Sequence, residues 1–417
     1  MSQVILFGVF GVGNLGNDAT LLTMTHHLRQ RLQTQVLCVC SHPELVQERY
    51  GVASIPIDIP LELLAAGPSN RWLRRLNRGV TEVKLWRAAL QRFAQGDHLV
   101  FTGTGMLDDF GVRPWNLPYD LVKWCTAARL RGARVSFVSV GAGPIEQTAN
   151  RWLMLQALRQ GGYRSYRDRQ SKEYLQGIGF DSRADAVYPD LVFSWPVDSL
   201  PPRRPPATPP RVIGVGVMGY YGWRNQVGDG EAIYQAYYTK LRSFVVWLVA
   251  QGYEVRLIIG ETPTDLRPVR ELLAEPGALQ AAQQAGQLAA PPIENAADVL
   301  AALAETDLLV ATRFHNVVSA YLLGRPVLSV GYSTKNDALQ ADAGLGDFCQ
   351  QVDDFDVARL QVQFQQLVAR AGEAGRAVAE RVATYRSQLD EQYDRLFGSA
   401  AVPVTAAAAP AATGRSN

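Results

Sequence analysis

The sequence predicts an α/β protein made of two Rossmann-like, doubly wound domains with a cleft between them. Short apolar runs alternate with helical patterns, which is typical of parallel sheets flanked by helices. The alternation stops at a proline-rich segment and then restarts, which predicts two domains rather than one. Glycine-rich turns follow several predicted strands, at the sheet edge where such folds bind ligands.

Length and composition agree with this prediction and exclude some function classes. The chain has 417 residues, of which 47% are hydrophobic and 19% charged, as in a globular protein of more than one domain. The formal net charge is only +2, so no global field attracts nucleic acid and any anion site must be local. We therefore expect no nucleic-acid partner.

The first domain is predicted over residues 1–195. Its expected strands are Val4–Val9, Val36–Val39, His98–Phe101, Arg134–Val140, Tyr163–Tyr166 and Ala184–Tyr188. Its expected helices are Asp18–Leu32, Val83–Ala94 and Leu121–Arg131. Each strand is a short apolar run of the kind that lies inside a parallel sheet.

A linker is predicted over residues 196–211, because seven prolines between Trp195 and Arg211 exclude a helix interior or a central strand. The second domain follows over 212–398, and an Ala/Pro-rich tail, expected to be disordered, occupies 399–417. The strands expected in the second domain are Val212–Val217, Glu254–Ile259, Leu308–Ala311 and Pro326–Val330. The helices expected there are Ile233–Gln251, Val299–Ala304, Phe314–Leu323 and one long helix over Val357–Leu396.

Location and metal content follow from what the sequence lacks. We expect a cytoplasmic protein, because the first residues do not read as a secretion signal and no run approaches a membrane span. The four cysteines form no Cys-x-x-Cys pair, so no metal site is expected. The basic stretch Arg71–Arg92 predicts either an exposed helix face or contact with an anionic membrane that carries a lipid-linked acceptor.

The run Gly11–Gly16 after the first strand has the spacing of a dinucleotide fingerprint. The second strand, however, ends at Ser41 without the carboxylate that would hold a ribose, which argues against a nicotinamide cofactor. Glycines at a helix start still allow close backbone approach and leave N–H groups for an anion or a sugar hydroxyl. The candidate contacts in this loop are Gly13, Asn14, Gly16 and Asp18.

Two further turns follow predicted strands of the same domain. One contains Gly103, Gly105 and Asp108, and the other contains Gly141. Because carboxyl ends of parallel strands share one edge of a sheet, we expect the three glycine-rich loops to converge on a ligand.

A cationic group of residues is predicted in the second domain. Arg313 and His315 lie between the strand Leu308–Ala311 and a helix, where unpaired backbone N–H groups favour an anion. The next strand brings Lys335 to the same edge. Histidine moves protons near neutral pH and arginine clamps carboxylate or phosphate, so these residues predict a catalytic anion site.

Arg167 lies in a polar cluster at another junction between a strand and a helix. Its neighbour Asp168 has the position of a helix cap, which by itself explains the cluster. Arg167 is equally well placed to enter the cleft from the first domain.

Together these residues resemble the polysaccharide pyruvyl transferase family, over most of the span from Val4 to Leu345. The segments that carry the resemblance are Gly13–Asp18, Gly103–Asp108, Gly141–Pro144, Arg167–Asp168 with Ser171, Arg313–His315, Gly324–Pro326 and Tyr332–Lys335. The resemblance implies a glycosyltransferase-B-like fold, phosphoenolpyruvate as co-substrate, no further cofactor, and a glycan or lipid-linked saccharide as acceptor. It also implies that His315 is catalytic and that Arg167 and Lys335 bind the donor.

Two alternatives remain open from the sequence. A nucleotide-sugar glycosyltransferase of the same architecture would use Glu294 and Asp298 for ribose or sugar and Arg313 for the diphosphate. A catalytically silent member would bind glycan without reaction, although the presence of His315 and Lys335 argues against it.

Overall fold

A computed structural model describes residues 2–32, 34–58, 71–222 and 229–398, with side chains omitted for 71–78. The predicted tail 399–417 therefore lies outside the described residues, as do the basic side chains at the start of the Arg71–Arg92 stretch.

The first sheet is parallel and runs through the first half of the chain. Its strands are β1 Val4–Gly8, β2 Val36–Cys40, β3 Ser54–Pro56, β4 His98–Thr102, β5 Arg134–Val140, β6 Tyr163–Tyr166 and β7 Ala186–Val187. They lie in the order β3-β2-β1-β4-β5-β6-β7, with Val4 paired to both Val36 and His98. The order reverses between β1 and β4, and ligands bind open α/β sheets at such a point.

The helices of the first half connect these strands. They are α1 Leu15–Leu32, α2 Pro43–Tyr50, α3 Arg71–Gln91, α4 Leu117–Leu130, α5 Thr148–Arg159 and α6 Arg169–Gly177. Short 3₁₀ turns at Leu191–Ser194 and Val197–Ser199 lead into the proline-rich linker.

The second sheet is also parallel and repeats the same winding. Its strands are β8 Val212–Gly216, β9 Glu254–Ile258, β10 Leu288–Ala289, β11 Leu308–Ala311, β12 Val327–Gly331 and β13 Cys349–Gln351. Their order is β10-β9-β8-β11-β12-β13, so the switch point lies between β8 and β11. The helices are α7 Gly230–Ala250, α8 Leu266–Ala274, α9 Ala278–Gln284, α10 Ala296–Ala304, α11 Phe314–Leu322, α12 Thr334–Asp342, α13 Val357–Ala369 and α14 Ala371–Phe397.

The cores lie between sheets and helices, as the apolar strands predict. Every residue of β1, β4, β8 and β12 is buried. In the first sheet, the rings of Phe101 and Phe137 stack with centroids 4.4 Å apart. Strands covered on both faces explain why the central strands read as continuous apolar runs.

The edge strands β3, β10 and β13 were not predicted, since they have only two or three residues and form no recognisable apolar run. The single long helix predicted over Val357–Leu396 is wrong in one respect, because the chain leaves helical geometry at Arg370 and forms α13 and α14.

Helix α14 returns to the first sheet, although the sequence division placed it with the second domain. Gln392 donates to Ser165 Oγ at 2.6 Å and accepts from Ser139 Oγ at 3.1 Å, both in the first sheet. Tyr393 contacts Ser194 Oγ at 2.9 Å. The last helix therefore ties the two halves together.

Candidate active site in the cleft between the sheets

A cavity of about 280 Å³ lies where the carboxyl ends of the two sheets meet. Residues of both halves line it: Val9, Asn14, Asn17, Thr104, Gly105, Met106, Asp108, Val112, Leu117, Arg167, Phe314, His315, Tyr332, Ser333, Lys335 and Asn336. A second cavity, of about 600 Å³, adjoins it and shares Arg167, Phe314 and Lys335 as lining residues. We refer to the first of these as the cleft cavity.

His315 is the second residue of α11 and its side chain is 18% exposed. Its Nε2 atom lies 3.8 Å from Asp190 Oδ2 and has no hydrogen-bond partner among the described residues. Burial lowers the pKa of His315 to about 4; the Asp190 carboxylate opposes this shift, whereas Arg167 adds to it. The imidazole is therefore neutral at pH 7 in this arrangement.

Arg167 reaches the cavity from the end of β6, with a side chain that is 8% exposed. Its Nη1 atom lies 3.3 Å from Asp190 Oδ2, and its guanidinium lies over the Phe314 ring at 5.1 Å from the centroid. A Cβ atom on Gly141 would lie 2.7 Å from Arg167 Nε, so only a glycine leaves room for this guanidinium. The glycine of the third predicted loop thus positions a cation.

Lys335 stands in the first turn of α12, which begins at Thr334. The Ser333 side chain caps this helix by accepting from the Lys335 backbone N–H at 3.4 Å. Since α11 and α12 both begin at the cleft cavity, their N-termini add positive potential to that of Arg167 and Lys335. The cavity is therefore suited to a small anion.

Asp190 is the functional candidate that sequence reasoning missed. It is 2% exposed and lies between Arg167 and His315, while its other oxygen accepts from the Val192 N–H at 3.0 Å. It belongs to no recognisable motif and precedes the proline-rich segment, so its only sequence cue is the position of a helix cap. The fold alone places this carboxylate beside the cations.

Two buried polar groups on the cleft cavity also escaped the sequence analysis. Asn336 Oδ1 and Thr104 Oγ1 are buried and lack partners among the described residues. Buried polar atoms are normally hydrogen-bonded, so both are available to a ligand.

Gly13 and Gly16 serve the contact between the two halves. Gly13 has φ +90°, and a Cβ there would lie 2.1 Å from the Thr262 carbonyl oxygen. A Cβ on Gly16 would lie 2.0 Å from His315 Cγ. Backbone hydrogen bonds from Leu15 to Gly260 and from Thr262 to Gly13 fix the contact. The first loop therefore uses these glycines to dock against the second domain and the histidine.

The other predicted loop contacts divide into two groups. Asn14, Gly105 and Asp108 line the cleft cavity. Gly103 packs against Leu191, away from the lining. Asp18 also lies away from it: its carboxylate accepts from the Gly11 N–H and the Tyr50 hydroxyl, and burial raises its pKa.

Arg313 does not line the cleft cavity. Its guanidinium donates to the fully buried Asp265 carboxylate, at 2.6 Å from Nη2 and 2.8 Å from Nε, and pairs with Glu261. Burial acts to lower the pKa of Arg313, but the two carboxylates raise it above its ordinary value. The structure thus gives this arginine a structural ion-pair network.

Glu294 and Asp298, the residues of the glycosyltransferase alternative, also lie outside the cleft cavity. Asp298 completes the capping box of α10 with Asn295, and the Glu294 carbonyl accepts from Arg49. In the described part of the chain, no cluster of His, Cys, Asp and Glu could hold a metal ion, and no helix is long and apolar enough to cross a membrane.

Solved structures with the same fold cover nearly the whole chain. The S. aureus MnaA–UDP co-structure is 10% identical with a TM-score of 0.57, covering 95% of this chain and 98% of that one. UDP-GlcNAc 2-epimerase from Methanocaldococcus jannaschii is 10% identical with a TM-score of 0.56, covering 92% and 100%. A UGT transferase from Siraitia grosvenorii in complex with UDP is 12% identical with a TM-score of 0.53, covering 95% and 100%.

These likenesses confirm the predicted glycosyltransferase-B-like fold with two α/β domains. No curated protein sequence matches the chain. The family model for polysaccharide pyruvyl transferase matches residues 14–334, a span that includes the second and third glycine-rich loops, Arg167, Asp190 and His315. The match begins within the first loop, at Asn14, and ends one residue before Lys335. The chain therefore belongs to the polysaccharide pyruvyl transferase family, and it is an enzyme of that family.

Proposed function

We propose that the enzyme transfers a pyruvyl group from phosphoenolpyruvate to two hydroxyls of a glycan or lipid-linked saccharide, forming a ketal in the cytoplasm. One observation carries the proposal: Arg167 from the first domain meets His315 and Lys335 from the second on a single cavity. Phosphoenolpyruvate is a small molecule with a carboxylate and a phosphate, which need fixed cations within a short distance.

Arg167 and Lys335 are the donor-binding cations in this proposal. The planar guanidinium suits bidentate binding of a carboxylate or phosphate, and the ammonium acts as a point charge. The first turns of α11 and α12 add backbone N–H groups at the same place. Arg313 is left out of the donor contacts, because Asp265 and Glu261 already occupy its guanidinium.

The acceptor would approach from the first domain, where Asn14, Thr104 and Asp108 line the opposite side of the cavity. Their oxygen and nitrogen atoms suit sugar hydroxyls, which both donate and accept hydrogen bonds. The adjoining cavity of about 600 Å³ gives a glycan room beyond the reacting sugar.

The reaction needs one proton added and two removed. Protonation of the methylene carbon turns the enol phosphate into a cationic centre, which one sugar hydroxyl attacks with loss of its proton. Phosphate leaves with its bonding electron pair, and a second hydroxyl closes the ketal as its proton is released. We assign the first proton transfer to His315, the histidine of the cavity.

The low pKa of His315 sets a condition on this role. At a pKa of about 4 the resting imidazole is neutral and has no proton to give at pH 7. A bound dianion beside the ring favours the charged imidazolium, so donor binding raises the pKa of His315 and promotes its protonation. Asp190, at 3.8 Å from Nε2, acts in the same direction and holds Arg167 as well.

The test is phosphate release from phosphoenolpyruvate by the purified full-length chain with candidate glycans. We expect His315→Ala to lower kcat by roughly 10²- to 10⁴-fold, the usual contribution of a general acid. The matched control is His42→Ala, an exposed histidine outside the cleft cavity, which should retain activity. Full activity of His315→Ala would remove this residue from the mechanism.

Ligand-dependent thermal stability separates the proposal from the glycosyltransferase alternative. Phosphoenolpyruvate should stabilise the protein, and Lys335→Gln should weaken that effect. Stabilisation by nucleoside diphosphates alone, with none by phosphoenolpyruvate, would favour a nucleotide-sugar donor.

A further inference from the structure

A separate cavity of about 510 Å³ lies at the linker, near the amino-terminal ends of β8, β11 and β12, whereas the cleft lies at their carboxyl ends. Its walls come from the linker residues 203–210, from the turn Leu323–Pro326, and from the start of α14 at 371–379. We call it the hinge cavity. It shares no lining residue with the cleft cavity, and the nine-residue helix α11 separates the two by about 13 Å.

Four arginines line the hinge cavity: Arg203, Arg204, Arg325 and Arg376. Among the described residues the side-chain contacts of Arg203 and Arg325 are to backbone carbonyls, and none of the four arginines forms an ion pair within 4.0 Å. The only carboxylate in the described lining is Asp307, and its oxygens already accept backbone N–H groups of Ala207, Arg211 and Val212 at 2.8–2.9 Å. The cavity lining therefore holds four guanidinium groups against one carboxylate, an excess of positive charge.

Arg325 is the central member, because it is only 2% exposed. Its Nη2 atom donates to the carbonyls of Arg204 and Ala304 at 2.6 and 2.9 Å, but its Nε–H is buried without an acceptor. Burial, together with the neighbouring Arg203 and Arg204, lowers the pKa of Arg325, although the Asp307 and Glu305 carboxylates oppose this shift. A buried guanidinium with an unused donor is costly unless an anion pairs with it.

The start of α14 adds to the same potential. The helix runs for 27 residues from Ala371, its first residues line the cavity, and no side chain caps it. Gly372 carries no side chain there, which leaves the first-turn N–H groups open to a ligand. Gly375, one turn further on, packs close to the Gly324 carbonyl, which a Cβ there would approach to 3.1 Å. Prolines and alanines form much of the remaining wall, so an apolar ligand body also fits.

We propose that the hinge cavity is a second ligand site, which binds a phosphate-bearing small molecule and fixes the linker against the second domain. Guanidinium groups and a helix N-terminus are the usual partners of phosphate in proteins. The volume lies within the range of small-molecule sites. The site is independent of the donor chemistry proposed for the cleft.

The experiment is a calorimetric titration of the full-length chain with inorganic phosphate, at constant ionic strength maintained with chloride. The test variant is Arg203→Gln combined with Arg376→Gln, since both side chains are exposed and their loss should not unfold the protein. Lys335→Gln removes a cation from the cleft cavity, and Arg183→Gln is a control for the loss of a surface charge. Parallel titrations with glucose 1-phosphate and UMP distinguish phosphate itself from a phosphate ester.

We expect saturable phosphate binding that survives Lys335→Gln and Arg183→Gln but weakens by roughly tenfold or more in the double variant. Tighter binding of either ester would identify the class of ligand body. Unchanged binding by the double variant would overturn the proposal, as would complete loss of binding in Lys335→Gln alone. Neither result depends on whether pyruvyl transfer occurs.

Discussion

Replacing Gly16 by alanine is expected to favour the local helix but to disrupt the contact between the domains. Gly16 is the second residue of α1, where alanine is a better helix former than glycine by about 1 kcal/mol. Local propensity therefore predicts a more stable protein. The tertiary structure predicts the opposite, because the new Cβ would lie 2.0 Å from His315 Cγ and 2.1 Å from Nδ1.

The size of the destabilisation follows from how far the new methyl group and the His315 ring must move apart. Ordinary contact begins at 3.4 Å, so the methyl group and the ring must separate by about 1.4 Å. Backbone hydrogen bonds from Leu15 to Gly260 and from Thr262 to Gly13 resist the opening of the domain contact. Overpacking of this kind costs about 1–3 kcal/mol, and a shift of about 1 Å in a catalytic group lowers the rate roughly 10²-fold.

The assays are the free energy of unfolding from denaturant titration and the rate of phosphate release. Gly177→Ala is the matched control, because a Cβ added to this helical glycine of α6 would have no neighbouring atom within 4 Å. We expect Gly177→Ala to be neutral or stabilising and fully active. A Gly16→Ala protein that is more stable than wild type and equally active would refute the reasoning.

Three further predictions concern charge. Asp190→Asn removes the carboxylate that favours the His315 imidazolium, so the pKa of this general acid should fall. The alkaline limb of the pH–kcat profile should therefore move to lower pH, and kcat at pH 7 should fall roughly tenfold or more; an unchanged profile would contradict this. Between pH 6.5 and about 4 the unfolded histidine takes up a proton while the folded ring stays neutral, so the free energy of unfolding should fall by about 3 kcal/mol as the pH decreases through that window. His315→Asn should lose this pH dependence of stability. The similar dependence that arises from His98, whose pKa burial also lowers to about 4, should remain. Equal slopes of unfolding free energy against pH in the wild type and the variant would count against the assignment. Arg313→Gln should lower the free energy of unfolding by about 3 kcal/mol, because it leaves Asp265 buried without its cation. The folded variant should bind phosphoenolpyruvate as the wild type does. A variant of full stability that binds phosphoenolpyruvate poorly would instead place Arg313 in the donor site.

The candidate site was only partly visible in the sequence. His315, Arg167 and Lys335 could be found because each follows a buried strand, and strand ends converge on one edge of a parallel sheet. Arg313 has the same kind of position, but the structure directs its guanidinium to Asp265, a partner 48 residues away. Sequence position fixes the edge that a residue occupies and leaves open where its side chain points.

The glycines also show what sequence position can and cannot predict. Their spacing predicted close backbone approach, and Gly13 and Gly16 do stand at close contacts. The sequence could not say that the approaching groups are Thr262 and His315 of the other domain rather than a ligand. A missing side chain indicates a near neighbour without identifying it.

By itself the sequence determined the fold class, the two domains and the strand ends that carry the cations, because apolar periodicity and glycine or proline placement are local properties of the chain. Only the tertiary structure decided that Asp190 lies between Arg167 and His315, that burial lowers the pKa of the imidazole, and that α14 returns to the first sheet. These features arise from contacts between residues far apart in the chain, and burial and pairing are properties of such contacts rather than of any sequence window.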